Sequence, residues 1–372
     1  MLNKIKSNIK NIPGWRTKRH IVVIESDDWG ATRIPSIVSK NIAQIGGADF
    51  DLGQGFDDFD TLEQYEDLTT LFEVLSNHKD INGYNTVITA NSIVANPDFK
   101  RIKESNYKTY FFKTINNNIE LTNAYKEGIN NHLFKPQYHA REHLNVMRWL
   151  DALQKNYKGV RSAFEQGIWS NTCNSMLDSH CMATYDYASE IEKEFIISSI
   201  KNGLNIFESI FGYKSISTIA PCYIWCDDIT KAMVENGVRC FQSGIYQRLP
   251  YLLKTQTNKK QIFRYSGQRG KYGEVYLQRN VSFEPSSNMN YTNDLTIKNI
   301  DRAFFWGKPA IIQSHRINFV SGLNRKNRDR SLKLFDELLK IIIKKYADVE
   351  FMTSDQLYYL IKKDIDKYHY EN

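Results

Sequence analysis

Apolar positions along the chain follow two periods. Ile21-Val22-Val23-Ile24 is a short β-branched run of the kind that forms a strand buried on both faces. Residues 86–91, 217–220, 238–241, 274–277 and 310–314 read as further strands. Between them the spacing turns helical. Leu62, Tyr65, Leu68, Leu71, Phe72 and Leu75 form one apolar stripe, predicting a helix over 61–77. Segments 191–211, 227–236 and 332–346 read the same way. Strands alternating with helices predict an α/β fold with a parallel sheet or barrel. Periodicity does not separate a barrel from an open doubly wound sheet. No repeat of solenoid period and no low-complexity linker divides the chain.

Composition adds bounds. The chain has 372 residues, 41% hydrophobic and 24% charged, which is ordinary globular usage and ample for a large core. The net charge of +7 is spread without a compact basic patch, which argues against a nucleic-acid partner. Five cysteines (Cys173, Cys181, Cys222, Cys226 and Cys240) show no paired CxxC spacing and read as free, mostly buried thiols of a reducing compartment. No apolar leader core and no membrane-length apolar run is visible, so cytoplasmic residence is expected. Residues 1–19 form a basic amphipathic segment ahead of a domain over 20–372. Leu2, Ile5, Ile9 and Ile12 share a helical face beside Lys4, Lys6 and Lys10. Such a helix suits either peripheral contact with the inner membrane surface through residues 1–12 or packing on its own domain. Pro13-Gly14 ends it.

The candidate chemistry begins where the first strand ends. Glu25-Ser26-Asp27-Asp28-Trp29-Gly30 places two adjacent carboxylates there, where α/β folds gather ligands and catalytic groups. A solvated turn is the other reading. His139-Ala140-Arg141-Glu142-His143 spaces two histidines four apart. On the predicted helix running from Tyr138 to Leu150, both imidazoles share one face. With one carboxylate they make a three-ligand site with an open position for water, as in catalytic zinc sites. The acidic run Asp49, Asp51, Asp57, Asp58 and Asp60 lies in a loop-rich stretch and reads as a solvated loop.

Together these motifs resemble the polysaccharide deacetylase family, carbohydrate esterase family four. Glu25–Gly30 resembles its TFDDG motif, His139–His143 keeps the spacing of its HSxxH motif, and the strand ending at His315 is similar to its terminal Leu-x-His. The third motif, Arg-x-Pro-Tyr, is matched only by Ala220-Pro221-Cys222-Tyr223, which lacks the arginine that orients the catalytic aspartate. Arg279 and Glu284, in a polar cluster after a predicted strand, are the candidates to replace it. The fourth motif finds no match. The resemblance implies a distorted, incomplete (β/α) barrel of about seven parallel strands, with inserted loops around 40–60 and 95–130. It implies a divalent metal on Asp28, His139 and His143. Zn²⁺ suits these ligands, and Co²⁺, Ni²⁺ or Fe²⁺ fits them too. It implies Asp27 as general base and His315 as general acid. Backbone N–H groups of Cys222 or Tyr223 are expected at the oxyanion, and Trp29, Arg279 and Glu284 near substrate. The implied activity is removal of an N-acyl, chiefly acetyl, group from an amino sugar in glycan assembly. Two other readings stand beside it: a non-catalytic sugar-binding relative, and an HxxEH zinc protease with Glu142 as base.

Overall fold

The computed structural model describes residue 8 and residues 10–50, 55–171, 181–257 and 259–370. The first strands are β1 (Ile21–Trp29), β2 (Ile88–Ile93), β3 (Ala95–Pro97), β4 (Phe112–Thr114) and β5 (Phe134–Ala140). Next come β6 (Ser217–Ile219), β7 (Cys240–Ser243), β8 (Tyr246–Arg248) and β9 (Gln261–Phe263). The last are β10 (Val275–Gln278), β11 (Val281–Ser282), β12 (Ala310–His315) and β13 (Glu350–Met352). The main sheet runs β10-β7-β6-β5-β2-β1-β12-β11, with β13 added beside the start of β1. Every pairing in it is parallel.

The sheet closes on itself. Its two outermost strands, β10 and β11, are consecutive in the chain, separated only by Arg279 and Asn280. The Arg279 N–H donates to Ser243 O on β7, and the next N–H, from Asn280, donates to Ile311 O on β12. Consecutive amides thus bond opposite edges. Counting β10–β11 as one stave, the eight strands of the path make a distorted barrel of seven. The Asn280 side chain staples the junction, donating to Pro309 O and accepting from Ile311 N, both at 2.9 Å.

All nine residues of β1 are buried, as its unbroken apolar start requires of a strand walled in on both faces. Helices cover the outside. Tyr65–Ser76 buries Leu68, Leu71, Phe72 and Leu75 and begins at a capping box of Gln64 and Asp67. It starts later than its apolar stripe predicts, because Asp60 and Glu63 are drawn instead into contacts with Arg316. Helix Glu190–Phe211 starts at the Ser189 N-cap.

Several sequence expectations need correction. Residues 138–145 are not helical: His139 lies on β5, and the next helix starts only at Val146, capped by Asn145. The stretch 31–60 carries a helix, Ile37–Ile45, and Asp57 and Asp60 are buried rather than solvated. Asp60 accepts from Arg33 at 3.1 Å and Arg316 at 3.0 Å. The insertion after β2 contains the β3–β4 hairpin and helices Phe99–Glu104 and Ile119–Asn130. Cys181 is disulfide-bonded, so the reading of all five cysteines as free thiols fails, and with it that support for a reducing compartment. The N-terminal amphipathic helix falls largely outside the described residues. Among them, no helix is long and apolar enough to cross a membrane.

Candidate active site

The end of β1 is irregular. Ser26 pairs with Ala90 of β2 and Trp29 with Ser92, so β1 carries one residue more than its partner between these points. This is a β-bulge, a device that re-aims side chains. Asp28 sits within it at φ 76. Successive strand residues ordinarily face opposite ways. The bulge lets both Asp27 and Asp28 reach into the barrel mouth.

Asp28 Oδ1 lies 3.4 Å from His139 Nε2 and 3.5 Å from His143 Nε2. Ligand atoms of the three residues lie within 4.8 Å of one another. In a tetrahedral site with bonds of about 2.0–2.1 Å, ligand atoms stand roughly 3.3 Å apart, so the spacing fits a metal. Asp28 Oδ1 is buried without a hydrogen-bond partner among the described residues, which also fits. His139 Nδ1 donates to Ile219 O at 2.8 Å, leaving the Nε2 lone pair facing Asp28. Burial pushes His143 down to about 4, against the pull of Asp28, so its imidazole is neutral at pH 7. Burial opposes the Asp28 charge, but His143 and His139 outweigh it and hold the carboxyl well below the usual range. Helical spacing was not needed. A strand end and the loop after it place the rings 5.0 Å apart.

Asp27 takes no part in this trio. Arg279 grips it end-on, Nη2 to Oδ1 at 2.6 Å and Nη1 to Oδ2 at 2.7 Å, and Asn91 donates to Oδ1 at 2.7 Å. Burial would raise the Asp27 carboxyl, yet Arg279 overrides it and holds the group at about 2. Arg279 reaches Asp27 from the stave junction, two strands away from β6 and the third-motif loop that follows it. Its Nε donates to Glu25 Oε2 at 2.6 Å. Burial pushes the Glu25 carboxyl up, with Arg279 and a hydrogen bond from Ser354 working against it.

Glu284, the other candidate to orient Asp27, does not touch it. It binds His315 Nδ1 at 2.6 Å and accepts from Asn318 at 2.9 Å. His315 Nε2 faces Asp27 Oδ2 at 3.8 Å. Burial works to lower His315, but Glu284 and then Asp27 lift it to about 9, so the ring is cationic at pH 7. Phe56 meets it edge-on at 4.8 Å.

Trp29, Tyr223 and Glu142 turn out otherwise. Trp29 is 0% exposed, with its indole donating to Ser26 Oγ and its ring against Phe134 and Phe319, so it is core and cannot meet substrate. The Tyr223 N–H donates to Ala220 O at 2.9 Å, so it is not a spare oxyanion donor; its phenol binds Gln313 and Arg279. Cys222 and Tyr223 hold left-handed backbone at φ 55 and 56, and Cys222 Sγ contacts Met182 O. We assign no oxyanion donor. Glu142 is locked to Arg141 at 2.6 Å and to Ser199 at 3.3 Å. With no helix beneath the histidines and Glu142 committed elsewhere, the HxxEH protease geometry is absent from these residues.

Sequence reasoning missed Asn91, Gln242 and Glu25. Asn91 was visible as a polar residue in an apolar strand run. Gln242, which exchanges hydrogen bonds with Asn91 at 2.7 and 2.9 Å, gave no signal.

No protein-family model matches the chain, and no curated protein matches it. Among solved structures it is similar to the peptidoglycan deacetylase PdaC from Bacillus subtilis, with 10% identity, TM-score 0.39 and coverage of 94% of this chain and 95% of that one. A CE4 family pseudoenzyme from Bacillus anthracis gives 9%, 0.39, 91% and 65% in the same order. A 4-alpha-glucanotransferase from Thermococcus litoralis gives 8%, 0.45, 91% and 40%. The chain thus spans about two fifths of the length of the glucanotransferase. At such scores these likenesses carry nothing about activity.

Proposed function

We propose that the protein is a metal-dependent hydrolase that removes an N-acyl group, chiefly acetyl, from an amino sugar in glycan biosynthesis. One observation carries the reading: ligand atoms of Asp28, His139 and His143 converge on one point, while an anionic carboxylate and a cationic imidazole, neither of them in that trio, flank the same mouth. Asp28, His139 and His143 would hold the metal, Zn²⁺ being the best match to two imidazoles and a carboxylate. When bound, such an ion supplies a Lewis acid and acidifies water.

The residues divide the proton work. Asp27 stays ionised under Arg279 and accepts the proton of the attacking water. His315, charged by Glu284, presents Nε2–H to the nitrogen of the breaking C–N bond. An amine leaves only once protonated, so the amide bond calls for this acid. The non-catalytic reading rested on the missing third-motif arginine. Arg279 on Asp27 removes that reason for it.

The test is acetate release. Metal-replete protein is incubated with N-acetylated amino sugars as free, nucleotide-linked and oligomeric forms. Acetate should appear, cease on chelation, return with Zn²⁺, and be absent with Asp27→Asn. No acetate from any of the three forms would end the reading.

A further inference from the structure

We propose that Glu25 is a positioning residue, fixing the Arg279 guanidinium in the plane that aims Asp27 into the mouth. The inference rests on the hydrolase reading above for its kinetic consequence, and on geometry for the rest.

A guanidinium carries five N–H donors on a flexible stem. Arg279 uses all five. Two go to the Asp27 oxygens at 2.6 and 2.7 Å, and two to Tyr223 Oη and Gln242 Oε1, each at 3.3 Å. The fifth, Nε–H, goes to Glu25 Oε2 at 2.6 Å. End-on pairing ties the carboxylate to the guanidinium, but it does not stop the two from turning together about the Cδ–Nε bond. Tyr223 and Gln242 brace the guanidinium only at 3.3 Å, so the 2.6 Å Nε–H contact is the tightest restraint on that rotation, and Glu25 supplies it.

Glu25 is itself held from behind. Its Oε1 accepts from Ser354 Oγ at 2.6 Å, and the Ser354 N–H donates to Thr89 Oγ1 at 2.9 Å. A chain of short bonds therefore links the first residue of helix Ser354–Tyr370 to the Asp27 carboxylate. Stability does not explain the arrangement. Two carboxylates share one guanidinium at side-chain exposures of 0, 7 and 1% for Glu25, Asp27 and Arg279. Adding a second buried carboxylate to a neutral pair costs solvation, and an apolar residue would continue the run Ile21–Ile24 without it. Among the described contacts Glu25 touches neither the metal ligands nor the mouth, so it acts through Arg279.

The experiment compares wild type, Glu25→Gln, Arg279→Met and the double variant, all metal-replete and full length. In Glu25→Gln, kcat should fall about 10- to 100-fold, with KM within about twofold and metal content unchanged. The double variant should be no slower than Arg279→Met alone. A second readout needs no turnover. The Arg279 Nε–H resonance, assigned by its absence from Arg279→Met, should be protected from exchange in wild type and lose protection in Glu25→Gln. If Glu25→Gln does not fold, Ser354→Ala loosens Glu25 while keeping its carboxyl group, and should move kcat and Nε–H in the same direction. An unchanged kcat, multiplying losses in the double variant, or an unaltered Nε–H would overturn the proposal. If wild type releases no acetate, the hydrolase reading alone falls, and the Nε–H comparison still decides the role of Glu25.

Discussion

Adjacent carboxylates with different neighbours should separate under mutation. Asp28→Asn, His139→Ala and His143→Ala each remove one of three ligands, and bound metal should fall well below one per chain by elemental analysis. Asp27→Asn should keep its metal and lose turnover, because the amide cannot accept a proton and Asp27 makes its bonds to Arg279 and Asn91 instead. Normal metal content in a double His139/His143 alanine variant would exclude this site. His315 gives a pH prediction with a definite sign. Its folded value near 9 lies above the ordinary 6.5. The acid form is therefore present below pH 9 and disappears above it, and kcat should fall on that alkaline side. Glu284→Gln removes the principal lifting charge, so the limb should move down toward the ordinary value. Activity would then be nearly kept at pH 6 and much reduced at pH 8. The same sign holds for stability. The pair's contribution is fully present below about 6.5 and is lost as pH rises through about 9. A limb that does not move in Glu284→Gln would separate Glu284 from the acid.

Among the elements, the bulged end of β1 is the most exacting. Gly30 follows it at φ 85, and a Cβ there would meet Ile93 O at 2.5 Å. Gly83 has a similar φ of 81 but nothing within 4 Å. Gly83→Ala should cost about 1 kcal/mol of backbone strain, and Gly30→Ala clearly more, on the order of 3 kcal/mol, because strain and collision add. Denaturant unfolding of the two variants, side by side, checks the difference. Equal costs would mean that β2 yields freely to the bulge. This end of β1 also shows what a sequence conveys. The strands β1 and β12 were legible because burial on both faces demands continuous apolar residues. The clustering of Asp28, His139 and His143 was legible because spacing and residue type sufficed, even though the helix inferred from that spacing is a strand and a loop. His-x-x-x-His fits a helical face, yet a strand end followed by a turn brings the same rings together. The partners were not legible. Arg279 stood out only as polarity after a strand, and Glu25 reads as the tail of an apolar run. The acidic run looked solvated, since nothing in Asp60 announces Arg316, 256 residues away. Pairings of that range exist only once the barrel has brought the staves side by side.

For the whole molecule, metal and fold should be linked. An ion that binds the native chain and not the unfolded one stabilises by RT ln(1 + [L]/Kd), about 2.7 kcal/mol at a hundredfold excess over Kd. Tm should therefore rise with free Zn²⁺ and fall with chelator, and His143→Ala should lose this dependence while its chelated Tm stays close to that of chelated wild type. A Tm indifferent to Zn²⁺ in wild type would mean that no native-specific metal site exists. The closure of the barrel also sets an order of events. Asp28, His139 and His143 all belong to the first 143 residues, whereas Arg279, Glu284 and His315 arrive with the last staves. A growing chain thus acquires the proposed metal ligands long before the proposed acid, His315, and the arginine that grips Asp27. The latest contact of all, from Ser354 to Glu25, ties the final helix to the first strand. Contacts this distant form late and slowly. On the proposed reading, the ligand trio and the acid–base pair are therefore completed at separate moments in the life of the chain, and the second waits for the last stave.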